Sequence, residues 1–169
     1  MLRSLGVDRR AVRGKDLRPG GRPGSEIALA WLCVVAWIAV IQIFASGSFS
    51  ASETSRFIGP LLRWLFPDAD AESVSAAHFT IRKLGHLIEY AILALLALRA
   101  FRSTFDRPPA WLAAASLVLA LAVAIIDESR QAALKSRTGA LSDVALDIGG
   151  AASALAIVSA VRRFGSVDS

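Results

Sequence analysis

Four long apolar stretches alternate with polar segments along the chain. The stretches are residues 27–45, 84–101, 110–126 and 144–161. A helix needs about 17–25 mainly apolar residues to cross the hydrocarbon core of a bilayer, so each stretch is long enough to do so. None of them alternates polar and apolar residues as a barrel strand does. The pattern therefore predicts an all-α membrane protein, a bundle of four transmembrane helices.

The segment between the first two stretches, residues 46–80, has an amphipathic pattern of its own. The sequence SASE at residues 50–53 has the form of a capping box, which marks a helix start. Arg56 and Arg63 follow among aromatic and aliphatic residues, seven positions apart and so on one helix face. We predict an interfacial helix that ends before Pro67. A re-entrant lid over the bundle is the alternative.

Basic residues are distributed unevenly around the apolar stretches. Residues 1–25 contain seven of them, and we interpret this segment as a disordered basic tail in the cytoplasm. With this tail inside, twelve Lys and Arg lie on the cytoplasmic side and seven on the outer side, which favours both termini inside. The net charge of +5 thus reflects membrane topology, and nucleic-acid binding is excluded. The membrane domain covers residues 26–164, and residues 165–169 form a short tail.

Composition supports a membrane protein, because 54% of the residues are hydrophobic and the mean hydropathy is +0.52. The first stretch could also be a cleaved signal peptide, since small residues follow it. Its basic flank and its apolar run are both long for a signal peptide, which favours an uncleaved anchor. The single cysteine, Cys33, lies in this stretch, so no intrachain disulfide can form.

Polar and ionisable residues occur at three helix ends that this topology places together on the outer side. The second stretch begins there, the third ends there, and the fourth begins there. The residues are Arg82, Lys83, His86, Glu89, Asp127, Glu128, Gln131, Arg137, Asp143 and Asp147. Near the bilayer centre each charge facing lipid would cost about 2–3 kcal/mol or more. We therefore expect these side chains to face one another or water.

The same residues could instead be interface anchors and interhelical salt bridges. That interpretation suits Arg82, Lys83 and the other long basic side chains, which can extend to the interface. It suits His86, Glu89 and Asp147 less well, because these side chains are shorter or lie deeper. Arg82, His86 and Glu89 also share one helical stripe, at spacings of four and three residues. We expect His86, Glu89 and Asp147 to serve or support a function.

Three sequence blocks resemble one known family. The blocks are RKLGHLIEY, DESRQ and RTGALSDVALDIGG. They resemble the VanZ-like family of small bacterial membrane proteins, which has Arg-Lys-x-x-His-x-x-Glu-Tyr, Asp-Glu-x-x-Gln and an Arg followed by Asp-x-x-x-Asn-x-x-Gly. Asp147 stands where the family has Asn. The resemblance implies the bacterial inner membrane, the cell envelope and an association with resistance to the glycopeptide teicoplanin, but no defined reaction.

The leading functional hypothesis is a site that binds an anionic envelope lipid or a lipid-linked cell-wall or polysaccharide precursor. Arg82, Lys83 and Arg137 would contact phosphate. The guanidinium groups of the two arginines are suited to bind it through paired hydrogen bonds. Glu89, Asp127 and Asp143 would orient these cations. When Arg130 and Lys135 at the same helix ends are counted, five basic residues accompany five acidic ones, whereas a simple anion site should have surplus positive charge.

Two alternatives remain open. The first is a metal-dependent lipid-phosphate hydrolase with His86, Glu89 and Asp127 as catalytic candidates, and a divalent metal would then be its cofactor. The chain lacks the common spacings of such enzymes, and we otherwise expect no cofactor. The second alternative is a structural or partner-binding membrane protein. Assembly into a homo-oligomer is compatible with each hypothesis.

Overall fold

A computed structural model describes residues 23–45, 51–132 and 141–165, with only the backbone described at residues 51–55, 57, 141 and 165. It contains five helices and, in these ranges, no strand. They are α1 (Gly24–Phe44), α2 (Ala51–Leu65), α3 (Ala71–Thr104), α4 (Pro109–Ala132) and α5 (Leu141–Gly165). All except α2 are long and apolar enough to cross a membrane. The predicted bundle of four membrane-crossing helices, with a shorter helix after the first, is confirmed.

Helix α3 is the central element of the bundle. It contacts each of the other four helices, and its most extensive contact is with α5. Small side chains allow this packing: Ala94, Ala97 and Ala100 of α3 are fully buried, as is Ala151 of α5. Small residues at helix interfaces let backbones approach closely, which is how membrane helices associate without a hydrophobic driving force.

Gly150 of α5 marks the closest approach of α5 to α3. A Cβ atom at this position would overlap the carbonyl oxygen of Leu87 and would lie 3.0 Å from its carbonyl carbon. Gly149, its neighbour, has no such atom within 4 Å. Only the absence of a side chain at Gly150 permits the two backbones to touch here.

Large apolar side chains cover the outside of the bundle. Val118 and Val161 are each 65% exposed, Ile157 is 63% exposed and Leu32 is 62% exposed. Such a surface is unfavourable in water and matches the hydrocarbon of a bilayer. The burial pattern therefore agrees with the membrane assignment.

Helix α3 is longer than the apolar stretch that predicts it, since it begins at Ala71 and not near Leu84. Its 34 residues span about 51 Å, whereas the hydrocarbon core is about 30 Å thick. The side chain of Asp70 caps the helix by accepting a hydrogen bond from the Ser73 backbone amide at 2.7 Å. Hydropathy detects only the part of α3 that lies in hydrocarbon, so it misses these first turns.

We expect Asp70→Ala to loosen the first turn of α3, and the cap itself to depend on pH. Hydrogen bonds from Ser73 hold the pKa of Asp70 below its usual value, because they favour the charged carboxylate. A lowered pKa contributes stability above the unfolded-state value, about 3.9, and that stability is lost as pH falls through the lower folded-state value. Amide hydrogen-exchange protection at Ser73 should fall accordingly in acid.

Asp70→Asn is the control for this prediction, since asparagine caps a helix without titrating. Its protection factor at Ser73 should match that of the wild type at neutral pH and stay constant in acid. A wild-type protection factor that does not change with pH would contradict the prediction.

Candidate functional site

A cavity of about 290 Å³ lies where α1 ends, beside α2, α3 and α4. Its apolar lining consists of Ile41, Phe44, Ala45, Ile58 and Ile81, and the remaining lining residues are Arg82, Gly85, His86, Glu89 and Asp127. Thus α1 and α2 supply apolar walls, whereas α3 and α4 supply the charged groups. The cavity is amphipathic.

One face of α3 forms most of the charged wall. Arg82, His86 and Glu89 follow each other at spacings of four and three residues, which places them on one side of a helix. Gly85 lies on the same wall and leaves open space, because no atom lies within 4 Å of a Cβ built there. All three catalytic candidates of the hydrolase hypothesis, His86, Glu89 and Asp127, line this cavity.

Two ionic contacts join α3 to α5 beside the cavity. The Lys83 ammonium donates a hydrogen bond to Asp143 Oδ1, and both side chains are partly exposed. Deeper in the bundle, His86 Nδ1 lies 3.4 Å from Asp147 Oδ1. This distance is longer than a well-formed hydrogen bond, and the contact is ionic when the imidazole is protonated. The carboxylate of Asp147 is completely buried, so its charge depends on neighbours within the protein.

Helix α4 contributes three buried polar residues at the same level. Asp127, Glu128 and Gln131 are 1%, 7% and 4% exposed. Gln131 Nε2 donates a hydrogen bond to Asp127 Oδ2 at 3.0 Å, which matches their spacing of four residues on one helix. Of the predicted binding residues, Arg137 lies outside the described residues, as do residues 1–22 of the predicted tail at residues 1–25.

Tyr90 ends the RKLGHLIEY block but was not among the predicted binding residues, and it lies beside the charged residues without lining the cavity. Its side chain is fully buried, and within the described ranges its hydroxyl has no hydrogen-bond partner. Asp127, Asp147 and Glu89 are close enough to act on it electrostatically. A tyrosine directly after Glu89 in an otherwise apolar run was the available signal, because a buried phenol normally needs a partner.

Helix α1 also contributes polar contacts that hydropathy could not reveal. Trp37 Nε1 donates a hydrogen bond to the backbone carbonyl of Glu89 at 2.9 Å. Gln42 Oε1 accepts a hydrogen bond from the Arg130 guanidinium. Gln42 is the one strongly polar side chain in the first apolar stretch. Because a polar side chain is unfavourable in hydrocarbon, its presence there indicates a partner on another helix.

The site is suited to bind an amphipathic anion. Arg82 can donate paired hydrogen bonds to a phosphate, and the walls from α1 and α2 can contact a hydrocarbon chain. Lys83, predicted to contact phosphate as well, is instead engaged by Asp143. No group of three or more His, Cys, Asp or Glu side chains able to hold a metal ion occurs among the described residues.

Comparison with known proteins identifies the family. The family model described as VanZ/LLP1 matches residues 28–162, which include all five helices except their outermost ends and all the residues that line the cavity. No curated protein and no solved structure matches the chain. The resemblance of the three sequence blocks is thus confirmed over most of the chain, which belongs to the VanZ/LLP1 family.

Proposed function

We propose that this VanZ/LLP1 family member binds the phosphate-bearing head of an anionic envelope lipid, such as an isoprenoid-linked precursor, in the cavity beside α1. The observation that carries the proposal is the lining of that cavity, which combines Arg82 and His86 with apolar walls from Ile41 and Ile58. Ligand sites are commonly apolar with a few convergent polar groups. The lipid tail would contact the apolar walls, and the phosphate would contact the charged wall.

The pairing of charges addresses part of the objection that acids and bases are equally numerous, although Glu89 and Asp127 also line the cavity. Lys83 is engaged by Asp143, and His86 by Asp147. No carboxylate among the described residues lies within 4 Å of the Arg82 guanidinium. Arg82 therefore keeps its donors for a ligand although the cluster as a whole is balanced, and a guanidinium is well suited to phosphate.

The proposal adopts the predicted orientation, with both termini in the cytoplasm and the cavity on the outer side of the inner membrane. A lipid-linked precursor would then be reached from the leaflet in which envelope polymers are assembled. The protein would contribute to teicoplanin resistance only by binding such a precursor. Measuring the teicoplanin susceptibility of a host that expresses the protein tests this part of the proposal.

Gly85→Leu is expected to block the cavity while the fold is retained. The position has open space for a side chain, and that space is the cavity itself. Native mass spectrometry of protein taken from nanodiscs containing undecaprenyl phosphate should show at least about a tenfold lower retention of this lipid than in the wild type, equivalent to roughly 1.4 kcal/mol. Arg82→Gln should lower retention by a similar factor through loss of a charge-assisted contact.

Gly149→Leu is the matched control, because Gly149 also has open space but is exposed on α5 and does not line the cavity. It should retain undecaprenyl phosphate as the wild type does. Equal retention by Gly85→Leu and Gly149→Leu would contradict the proposal.

The same preparations distinguish the two alternatives. Release of inorganic phosphate from undecaprenyl diphosphate, dependent on a divalent cation and abolished by Glu89→Gln, would establish the hydrolase. Glu89 lines the cavity, so its amide variant keeps the shape of the site. A structural role alone would appear as reduced protein abundance in cavity variants, with no lipid retained by the wild type.

A further inference from the structure

A second cavity, of about 330 Å³, lies between α3 and α5 at the other end of the bundle. It is lined by Leu95, Leu98, Arg99, Arg102, Val158 and Arg162, which we call the arginine groove. Along α3, Arg102 lies twenty residues after Arg82, which corresponds to about 30 Å of helix. This is about the thickness of a hydrocarbon core, so the two cavities lie near opposite membrane surfaces.

The groove is amphipathic, and its polar and apolar parts are separated. On α3, Leu95 and Leu98 precede Arg102 on one helix face, at spacings of three and four residues. On α5, Val158 precedes Arg162 by one helical turn. The apolar side chains therefore lie toward the membrane centre, and the guanidinium groups lie toward its surface.

Positive charge in the groove is not neutralised by the described part of the protein. No carboxylate in that part lies within 4 Å of Arg99, Arg102 or Arg162. Arg102 is only partly exposed, and it lies close enough to Arg162 for the two charges to act on each other. Like charges repel each other, and an anion bound between them would offset the repulsion.

We propose that the arginine groove binds the phosphate headgroup of an anionic membrane phospholipid, with an acyl chain against Leu95, Leu98 and Val158. Guanidinium groups bind phosphate through paired, charge-assisted hydrogen bonds, and basic pockets between membrane helices are suited to anionic lipid headgroups. The apolar wall directly below the three guanidinium groups selects a lipid over a free anion. This proposal is independent of the ligand of the first cavity.

Two adjacent arginines provide the test. Arg162 lines the groove, whereas Arg163 has the same charge at nearly the same depth and does not line it. The probe is phosphatidylglycerol in nanodiscs with phosphatidylcholine as the neutral lipid, and bound lipid is counted by native mass spectrometry after extraction. We expect the wild type to retain phosphatidylglycerol preferentially, Arg162→Gln to retain about tenfold less, and Arg163→Gln to stay within about twofold of the wild type.

Further variants separate the alternatives. Arg162→Lys keeps the charge but loses the paired geometry, and its retention should be intermediate. Gly85→Leu, which blocks the first cavity, should retain phosphatidylglycerol normally. Equal losses in Arg162→Gln and Arg163→Gln would overturn the proposal in favour of general surface charge. Inorganic phosphate that displaces phosphatidylglycerol at equal concentration would overturn it in favour of a free anion.

Discussion

Gly150→Ala is expected to destabilise the protein by about 1–3 kcal/mol, the range found when a well-packed interior is overfilled. The added methyl group would overlap the Leu87 carbonyl oxygen, which belongs to the α3 backbone and cannot rotate away as a side chain could. Helix α5 must therefore move away from α3 along its most extensive interface. The free energy of unfolding, measured by SDS titration in mixed micelles, should fall by this amount.

Gly149→Ala is the control for this measurement. It makes the same chemical change one residue earlier, at an exposed position with no atom within 4 Å of the new methyl group. Its free energy of unfolding should equal the wild-type value or exceed it by up to about 1 kcal/mol, because alanine favours a helix over glycine. If the two variants unfold at the same SDS concentration, the close approach of α3 and α5 at Leu87 is wrong.

His86→Leu is expected to destabilise the protein by a similar amount, about 1–3 kcal/mol, the usual cost of leaving a buried polar group without its partner. It would leave the completely buried Asp147 carboxylate without the side chain that contacts it at 3.4 Å. The penalty comes from the buried polar group left behind and not from the loss of packing, because leucine fills a similar volume.

The double variant His86→Leu/Asp147→Leu tests that explanation. Removing both members of the pair removes the buried polar group, so the double variant should be more stable than His86→Leu alone. The same SDS titration measures both. A double variant whose loss equals the sum of the two single losses would contradict an energetic coupling between His86 and Asp147.

The four membrane-crossing helices and their order follow from hydropathy, because only long apolar helices are stable across the hydrocarbon core of a bilayer. The N-terminal start of α3 does not follow from it. Ala71 and the next turns are polar enough to stay outside hydrocarbon, and their helicity depends on local capping by Asp70. A hydropathy window therefore finds the membrane part of a helix and misses its extension.

The residues of the polar site could be predicted from the sequence, but the contacts between residues of different helices could not. Helical spacing places Arg82, His86 and Glu89 on one face of α3, where the cavity lies. Asp143 was predicted to orient a cation of the site, but spacing within one helix does not reveal which residue of another helix a side chain meets, so its partner Lys83 was not specified. The partner of Gly150 could not be predicted either. A glycine in an apolar helix indicates that another helix can approach closely, but it does not identify that helix or the residue contacted.

The two indole hydrogen bonds of α1 fix how that helix can respond to a ligand. Trp31 Nε1 donates to Thr104 Oγ1 at 2.9 Å, and Trp37 Nε1 donates to the Glu89 carbonyl at the same distance. Two directional hydrogen bonds at different heights oppose turning of α1 about its axis and sliding along α3. The wall that α1 gives to the first cavity is therefore held at two points. If the proposed lipid binds there, we expect adjustment to its width to come mainly from α2, which carries Ile58 and rests mainly on α3.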